Sequence, residues 1–387
     1  MAGEWKEVAV EEIASKIAMG PFGSDIKTDN FVPSGVPVIR GVNLTSGRFH
    51  AEEFVFLTEE KADELANANA FPGDVVFTHR GTLGQVGLIP DRPFNRYVVS
   101  QSQMKLTCDP KIADPAFVYY FFRSPIGQYA LLMNTSQTGV PAISRPITSL
   151  KCIRLSLPSP PEQRASAHIL GTLDDKIELN RRMNETLEAM ARAIFKSWFL
   201  DATEDGLPAD WRESTIGELC EFAYGRSLKE EIRRPGSIPV YGSNGQVGWH
   251  DEALVKGPGI VIGRKGNPGM VTWSPTDFFP IDTTFYVVPK GDCRSLYFLF
   301  YALRAHDLAS LGADSAVPGL NRNLAYMSRQ AVPSQRLLDA FDEQMRPLFD
   351  RIHHNAEASR TLAALRDTLL PKLISGKLRV PLTKVAV

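Results

Sequence analysis

The chain has 387 residues, with 43 Lys plus Arg against 44 Asp plus Glu, a formal net charge of −1 and 43% hydrophobic residues. Such a composition excludes wholesale disorder, and the length accommodates two or three domains. Apolar stretches such as Phe117–Phe122 fall far short of the ~18–20 residues of a membrane span, and Met1–Val10, with Glu4 and Glu7 and no apolar core, is not expected to act as a secretory leader.

The order of elements is written twice. Trp5-Lys6-Glu7 precedes the apolar segment Val8–Ile13, as Trp211-Arg212-Glu213 precedes Ile216–Leu219. Val36-Pro37-Val38 is answered by Ile238-Pro239-Val240. Gly73-Asp74-Val75-Val76, running into His79–Val86, is answered by Gly259-Ile260-Val261-Ile262, running into Arg264–Val271. Val140–Arg145 pairs with Val317–Arg322, and Leu157-Pro158 with Val332-Pro333. The separation is 206 positions at Trp5 and Trp211, 185 at Gly81 and Gly266, and 177 at Pro141 and Pro318. From Pro158 and Pro333 onward it stays at 175. The front parts have drifted, and the back parts tolerate no gap.

In the front part of the first copy, Val75-Val76-Phe77 and Val98-Val99 have strand character, and Pro115–Phe122 that of a short helix with proline at its opening. In the second copy Ile260–Ile262 and Phe285–Val288 predict strands and Leu296–Leu303 a helix. The back parts predict long helices. Ser159-Pro160-Pro161-Glu162 has capping-box spacing, after which Ile169, Leu173, Ile177, Leu187, Met190, Ile194 and Trp198 recur at helical intervals to about residue 200. The counterpart, about Leu337 to Leu370, carries Phe341, Met345, Leu348, Ile352, Leu362, Leu365 and Leu369. Asn180 and Asn184 interrupt the first stripe, as Asn355 and Ser359 do the second. Pro371 is expected to bend or end the second helix and Gly376 to close it.

A narrow a/d seam of this kind argues for coiled-coil pairing between the two helices, antiparallel because the halves would then be related by a pseudo-two-fold axis. Polar residues mid-seam would set the register. About 40 residues at ~1.5 Å rise make a rod of roughly 60 Å. The expected architecture is α+β: two similar domains, 1–157 and 202–335, joined by a central helical spacer, 158–201, and a C-terminal one, 336–387. The alternative, two amphipathic helices each packed on its own domain, does not account for the gapless match.

The loops of both domains are rich in side chains that read base edges. The candidates are Arg40, Asn43, His79, Arg80, Thr82, Gln101, Gln103 and Arg145 in the first domain. Tyr241, Ser243, Asn244, Gln246, Arg264, Lys265, Asn267, Thr283, Asn321 and Arg322 are those in the second. Arg pairs bidentately with guanine and Asn or Gln with adenine, while Lys and Thr contact phosphate. Single Arg-Gly and Gly-Asn turns are commonly only turns; their equivalent placement in both copies is what favours a binding role.

Ile-Gly-Arg-Lys-Gly (Ile262–Gly266) followed by Phe279–Val287, the phrase Ala193–Phe199 and the phrase Leu369–Gly376 resemble, in this order, parts of the DNA-specificity subunit of type I restriction–modification systems. The resemblance covers essentially the whole chain, with the first domain departing more (His79-Arg80 stands where the second has Arg264-Lys265). It implies two target-recognition domains, each reading one half of a split, asymmetric site in double-stranded DNA, with the helical spacer setting the gap. It implies two modification subunits as partners, carrying S-adenosylmethionine and the adenine-methylation chemistry. Restriction subunits can join them for ATP-driven translocation and cleavage. The specificity subunit itself binds no cofactor and is not catalytic.

The residues agree with a non-catalytic reading. Asp114-Pro115-Ala116-Phe117 lacks the second proline of an adenine-methyltransferase motif and reads as a helix start. No GxxxxGK[ST] loop, strand-borne GxGxxG or HExxH is present. Four cysteines without a CxxC pair argue against a disulfide framework or structural zinc, so a reducing cytoplasm is expected. Asp174-Asp175 is expected on a solvated helix face. The other function classes weighed are a single-chain DNA-modifying enzyme and a protein-binding assembly scaffold. The front domains are slightly acidic and only the C-terminal segment is basic, so much of the grip on DNA should come from partner subunits. Inserting about one heptad between residues 176 and 190 is expected to alter the tolerated gap between half-sites or abolish recognition, read by mapping methylated sites. An unchanged gap would contradict a ruler role.

Overall fold

The computed structural model describes residues 4–23, 25–136, 139–311 and 319–381. Met1–Gly3, and Val317 and Pro318 of the repeat alignment, lie outside the described residues. Contacts divide the chain into two units, Met1–Ile177 with Arg360–Val387, and Glu178–Ser359. Each unit is an α+β domain with one stretch of each long helix. No helix among the described residues is long and apolar enough to cross a membrane.

The sequence repeat is a repeat of topology. In the first unit an antiparallel sheet has the spatial order Ala14–Met19, Gln103–Cys108, Val75–Thr78, Val86–Leu88. In the second the order is Cys220–Tyr224, Thr284–Pro289, Gly259–Gly263, Val271–Ser274. Beside it Val36–Ile39 runs parallel to Tyr97–Val99, as Ile238–Gly242 does to Phe279–Pro280. Parallel partners need a crossover, and here the inserted hairpin of the first sheet provides it. Val75–Thr78 and Gly259–Gly263 are buried throughout, which explains why they read as continuous apolar runs rather than alternating ones. Lys6–Ala9 pairs with Arg154–Leu157, as Arg212–Thr215 pairs with Arg329–Val332, closing each domain at the base of its long helix.

Both short helices form where expected. Pro115–Arg123 opens on proline with the Phe117 N–H donating to Asp114 Oδ1 at 3.0 Å, and all of Phe117–Phe122 is buried. Leu296–Ala305 is capped by Ser295, whose Oγ accepts from Phe298 N–H at 3.0 Å. The long helices span Pro160–Phe195, extended by a π-helical turn over Lys196–Leu200, and Gln335–Ile374. Pro371 does not end the second: its carbonyl accepts from Ser375 N–H at 3.2 Å, and Gly376, at φ 72°, closes the helix.

Within each unit the two helices run antiparallel. In the first, Asp174 meets Arg366 at 2.7 Å, and Glu162 takes a two-pronged ion pair from Arg379 (2.6 and 2.8 Å), just past the partner helix. In the second the predicted polar seam is a closed network. Asn180 Nδ2 donates to Ser359 Oγ (3.1 Å) and Asn355 O (3.4 Å), Asn184 Nδ2 to Ile352 O (3.1 Å), and Asn355 Nδ2 to Asn184 Oδ1 (2.8 Å). Sliding either helix would strand these donors, so the network sets register.

Two expectations are corrected. The seam is broader than a strict a/d stripe. Phe341 and Met345 are fully buried, but Ile169, Leu173, Ile177, Leu187, Ile194, Leu348, Ile352, Leu362 and Leu369 are only half-buried, and Leu365 is 46% exposed. The adjacent positions Leu170, Asp174, Ala191, Phe195, Phe349 and Leu370 are buried instead. Each helix packs on its domain as well as on its partner, so the buried face is turned toward both. Asp174 is not on a solvated face. Its side chain is 3% exposed, with Oδ2 accepting from Arg123 Nη1 (2.8 Å) and the Tyr120 hydroxyl (2.9 Å), and Oδ1 from Arg366. Only Asp175 is solvated, in an ion pair with Arg48 at 2.8 Å.

Burial alone would push the Asp174 carboxyl up, but Arg123, Arg366 and Tyr120 outweigh it and hold the group below its ordinary value. The stabilisation is therefore full above the ordinary carboxyl value of 3.8 and is lost as pH falls through the lower folded value. Asp174→Ala leaves the largely buried guanidinium of Arg123 without a carboxylate and Arg366 with Asp367 alone, and is expected to cost about 3–5 kcal/mol in denaturant titration at neutral pH. The deficit should shrink in acid; a variant as stable as the parent would contradict the hub.

Candidate nucleic-acid interface

In the second unit four loops meet at one end of the sheets. Gly242 pairs with Gly245, which leaves Ser243 and Asn244 as the two-residue turn of a hairpin, with Gly245 at φ 96°. Ser243 Oγ donates to Lys265 O, tying this turn to the cationic loop. The N–H groups of Arg264 and Lys265 both donate to Thr283 O (2.9 and 3.1 Å), and Leu320 N–H donates to Arg264 O (3.0 Å). Gly269 is required here: at φ 82°, a Cβ would lie 2.3 Å from Ala309 N. Asn244, Gln246, Lys265 and Asn267 are exposed, while Ser243, Arg264, Thr283, Asn321 and Arg322 are half-buried.

Several candidates are held by local bonds. Gln246 Nε2 donates to Gly248 O (3.2 Å), and Asn267 Nδ2 reaches Met270 Sδ (3.4 Å). Asn321 caps Arg322–Met327, its Oδ1 accepting from Asn323 and Leu324 N–H. Tyr241 is buried against Phe278 and belongs to the core. The residue that sequence reasoning missed is Tyr224. The residue is 54% exposed, and the guanidinium carbons of Arg264 and Arg322 both lie over its ring, 5.1 Å from the centroid. Gly225, where a Cβ would meet Ile281 O at 2.1 Å, lets the strand end carry the ring up to this loop. An aromatic residue followed by Gly225-Arg226 at a strand end was the signal available.

In the first unit the equivalent loops enclose a cavity of about 350 Å³. Arg40, Arg80, Thr82, Gln101 and Gln103 line it, together with Phe22 and Gln85. Equivalent isolated bridges, Arg80 to Ala142 and Lys265 to Gly319, join the cationic loop to the next one in each unit. Arg80, Thr82, Gln101 and Arg145 are exposed. Arg145 sits at φ 46°, N-terminal to the helix Pro146–Lys151. The unpredicted Gln85 bridges the floor, accepting from Thr78 Oγ1 (2.8 Å) and donating to Gly41 O (3.1 Å). Phe22, at the rim, is 83% exposed.

Three first-domain candidates have structural duties. Asn43 is 1% exposed, its amide donating to His50 O (3.1 Å) and Glu52 O (2.8 Å). Gln103 is buried, bonded to Ser100 Oγ and, at 3.3 Å, to Thr78 Oγ1. His79 is buried beside Gln101 O, and burial pulls its pKa down, so the ring is neutral at physiological pH and offers phosphate no charge. Polar residue type beside a turn does not report burial, so in sequence these three look like their exposed neighbours.

The sequence profile described as "Type I restriction modification DNA specificity domain" matches residues 2–189 and 208–323. The MjaIX specificity subunit, a type I restriction enzyme component of Methanocaldococcus jannaschii, is 23% identical over 365 residues, covering 83% of this chain and 81% of that protein. The HindI specificity subunit of Haemophilus influenzae is 23% identical over 474 positions, covering 97% of this chain and 100% of its own. Among solved structures, the S subunit of a type I restriction–modification system from Mycoplasma genitalium superimposes with a TM-score of 0.66 at 20% identity, covering 96% of each chain.

Arg264→Ala is expected to weaken binding to DNA about ten-fold and to change sequence preference, whereas Asn43→Ala should lower stability without retargeting. Competition binding and thermal melts distinguish the two; unaltered preference in Arg264→Ala would contradict the site.

Proposed function

Because the chain belongs to the type I restriction modification DNA specificity family, we propose that it is the sequence-reading, non-catalytic subunit of a type I restriction–modification complex. Each α+β domain reads one half of a bipartite, asymmetric site in double-stranded DNA, and the helical pair sets the gap between the halves. The observation that carries this reading is the duplicated loop cluster: two copies of one fold present cations, amides and hydroxyls from equivalent loops, with different residues in each. Equivalent backbones with unlike reading residues are what an asymmetric site demands.

The helical pair and domain bases would dock two modification subunits, which bring S-adenosylmethionine and the methyl-transfer chemistry. Restriction subunits, where they join, would add translocation and cleavage in the cytoplasm. The near-neutral charge supports a division of labour in which partners contribute phosphate contacts and this chain contributes discrimination. This chain's own work is to hold register along the duplex, through the Asn180–Asn355 network and the ion pairs of Asp174, and to offer base-reading groups at two places.

The test is methylation mapping with the assembled complex after residues 202–335 are replaced by those of a relative. One half of the methylated site should change while the other half and the gap stay. Change in both halves, or label transferred from S-adenosylmethionine to DNA by this chain alone, would overturn the assignment.

A further inference from the structure

Arg264 and Arg322 share one aromatic ring. Arg264 Nη1 donates to Asp282 O at 3.0 Å and Arg322 Nη1 to Phe222 O at 3.4 Å, so each guanidinium is anchored through one nitrogen. Flanking rings extend the platform: Phe285 lies 6.0 Å from Arg264 and Tyr326 lies 5.7 Å from Arg322. Tyr326 is itself fixed, its hydroxyl oxygen accepting from Phe222 N–H at 2.8 Å. Neither arginine has a carboxylate within ion-pair distance among the described residues, in contrast to Arg96, Arg123, Arg366 and Arg379. The candidate arginines of the first unit, Arg40, Arg80 and Arg145, stack on no ring among the described residues.

We propose that Tyr224 is a positioning residue that holds Arg264 and Arg322 as a guanine reader, so that the half-site read by the second domain contains at least one G·C pair recognised through guanine O6 and N7. This rests on the specificity function proposed above. A phosphate contact needs only a cation, for which flexible lysine suffices. A bidentate contact to guanine needs a guanidinium of fixed plane with two free N–H groups in its fork. The contact with the Tyr224 ring and the anchoring bond to Asp282 O or Phe222 O together restrain each guanidinium, and a single anchoring bond leaves the rest of each fork open. Gathering two uncompensated cations on one exposed ring opposes folding, and a ligand that presents two acceptors relieves that repulsion. Adenine shows an acceptor beside a donor on the same edge and thymine a lone acceptor beside a methyl group; guanine alone shows two acceptors.

The experiment uses the full complex with its modification subunits. Methylation mapping first defines the split site, and DNA carrying 7-deazaguanine at each guanine of the second half-site is then tested for binding. The parent should lose about ten-fold in affinity at one or more of these positions. Tyr224→Leu should bind natural DNA correspondingly more weakly, lose the 7-deaza penalty and read the first half-site as before. Tyr224→Phe, which keeps the ring, should match the parent. No guanine in the second half-site, no 7-deaza penalty in the parent, or equal impairment of Tyr224→Phe and Tyr224→Leu would each overturn the proposal, leaving the specificity function standing. Absence of any split methylated site would instead remove the function on which it rests.

Discussion

The carboxylate of Asp174 is the point on which the first unit turns. It sits on the central helix with almost no exposure, and it receives Arg123 and Tyr120 from the domain and Arg366 from the antiparallel helix. A buried ion pair gains little net stability over well-packed apolar residues, because desolvation consumes most of the attraction. What it supplies is a single geometry: slide the central helix by a turn, and the carboxylate leaves Arg123 and Tyr120 of the domain and Arg366 of the facing helix together.

The second unit solves the same joint with rings. Phe195 and Phe199 of the central helix segment pack on Phe298 and Tyr301 of the domain helix and on Phe341 of the C-terminal helix, with centroids 4.9–6.1 Å apart. Register, which aromatic packing specifies weakly, is carried there by the Asn180–Asn184–Asn355 bonds. The two halves thus share a topology and differ in what cements it. A repeat can drift in its chemistry so long as every buried polar group is paired.

Above these joints the loops diverge freely. Equivalent bridges at Arg80 and Lys265 hold equivalent turns, yet one cluster encloses an amide-lined cavity and the other raises two arginines on a tyrosine. A surface loop pays little for a changed side chain as long as its backbone bonds survive, and those bonds run here to main-chain atoms such as Thr283 O. That separation lets the same scaffold carry different side chains on the equivalent loops of its two halves.

Much of this was legible in the order of residues. The duplication, the strand and helix identities of Val75–Thr78, Pro115–Arg123 and Leu296–Ala305, the two long helices and the polar seam follow from periodicity, capping and turn chemistry, which act over a few residues. The antiparallel sense followed from the pseudo-symmetry of a repeat with a constant offset. Tertiary structure alone decided which face of each helix is buried, because that depends on two neighbours at once; hence Leu365 lies exposed and Asp174 inside. It alone separated the interior Asn43, Gln103 and His79 from exposed candidates such as Arg80 and Gln101. And it alone brought Tyr224 to Arg264 and Arg322, residues far apart in the chain, since contacts of that range are set by how sheets and loops pack and leave no periodic mark in the sequence.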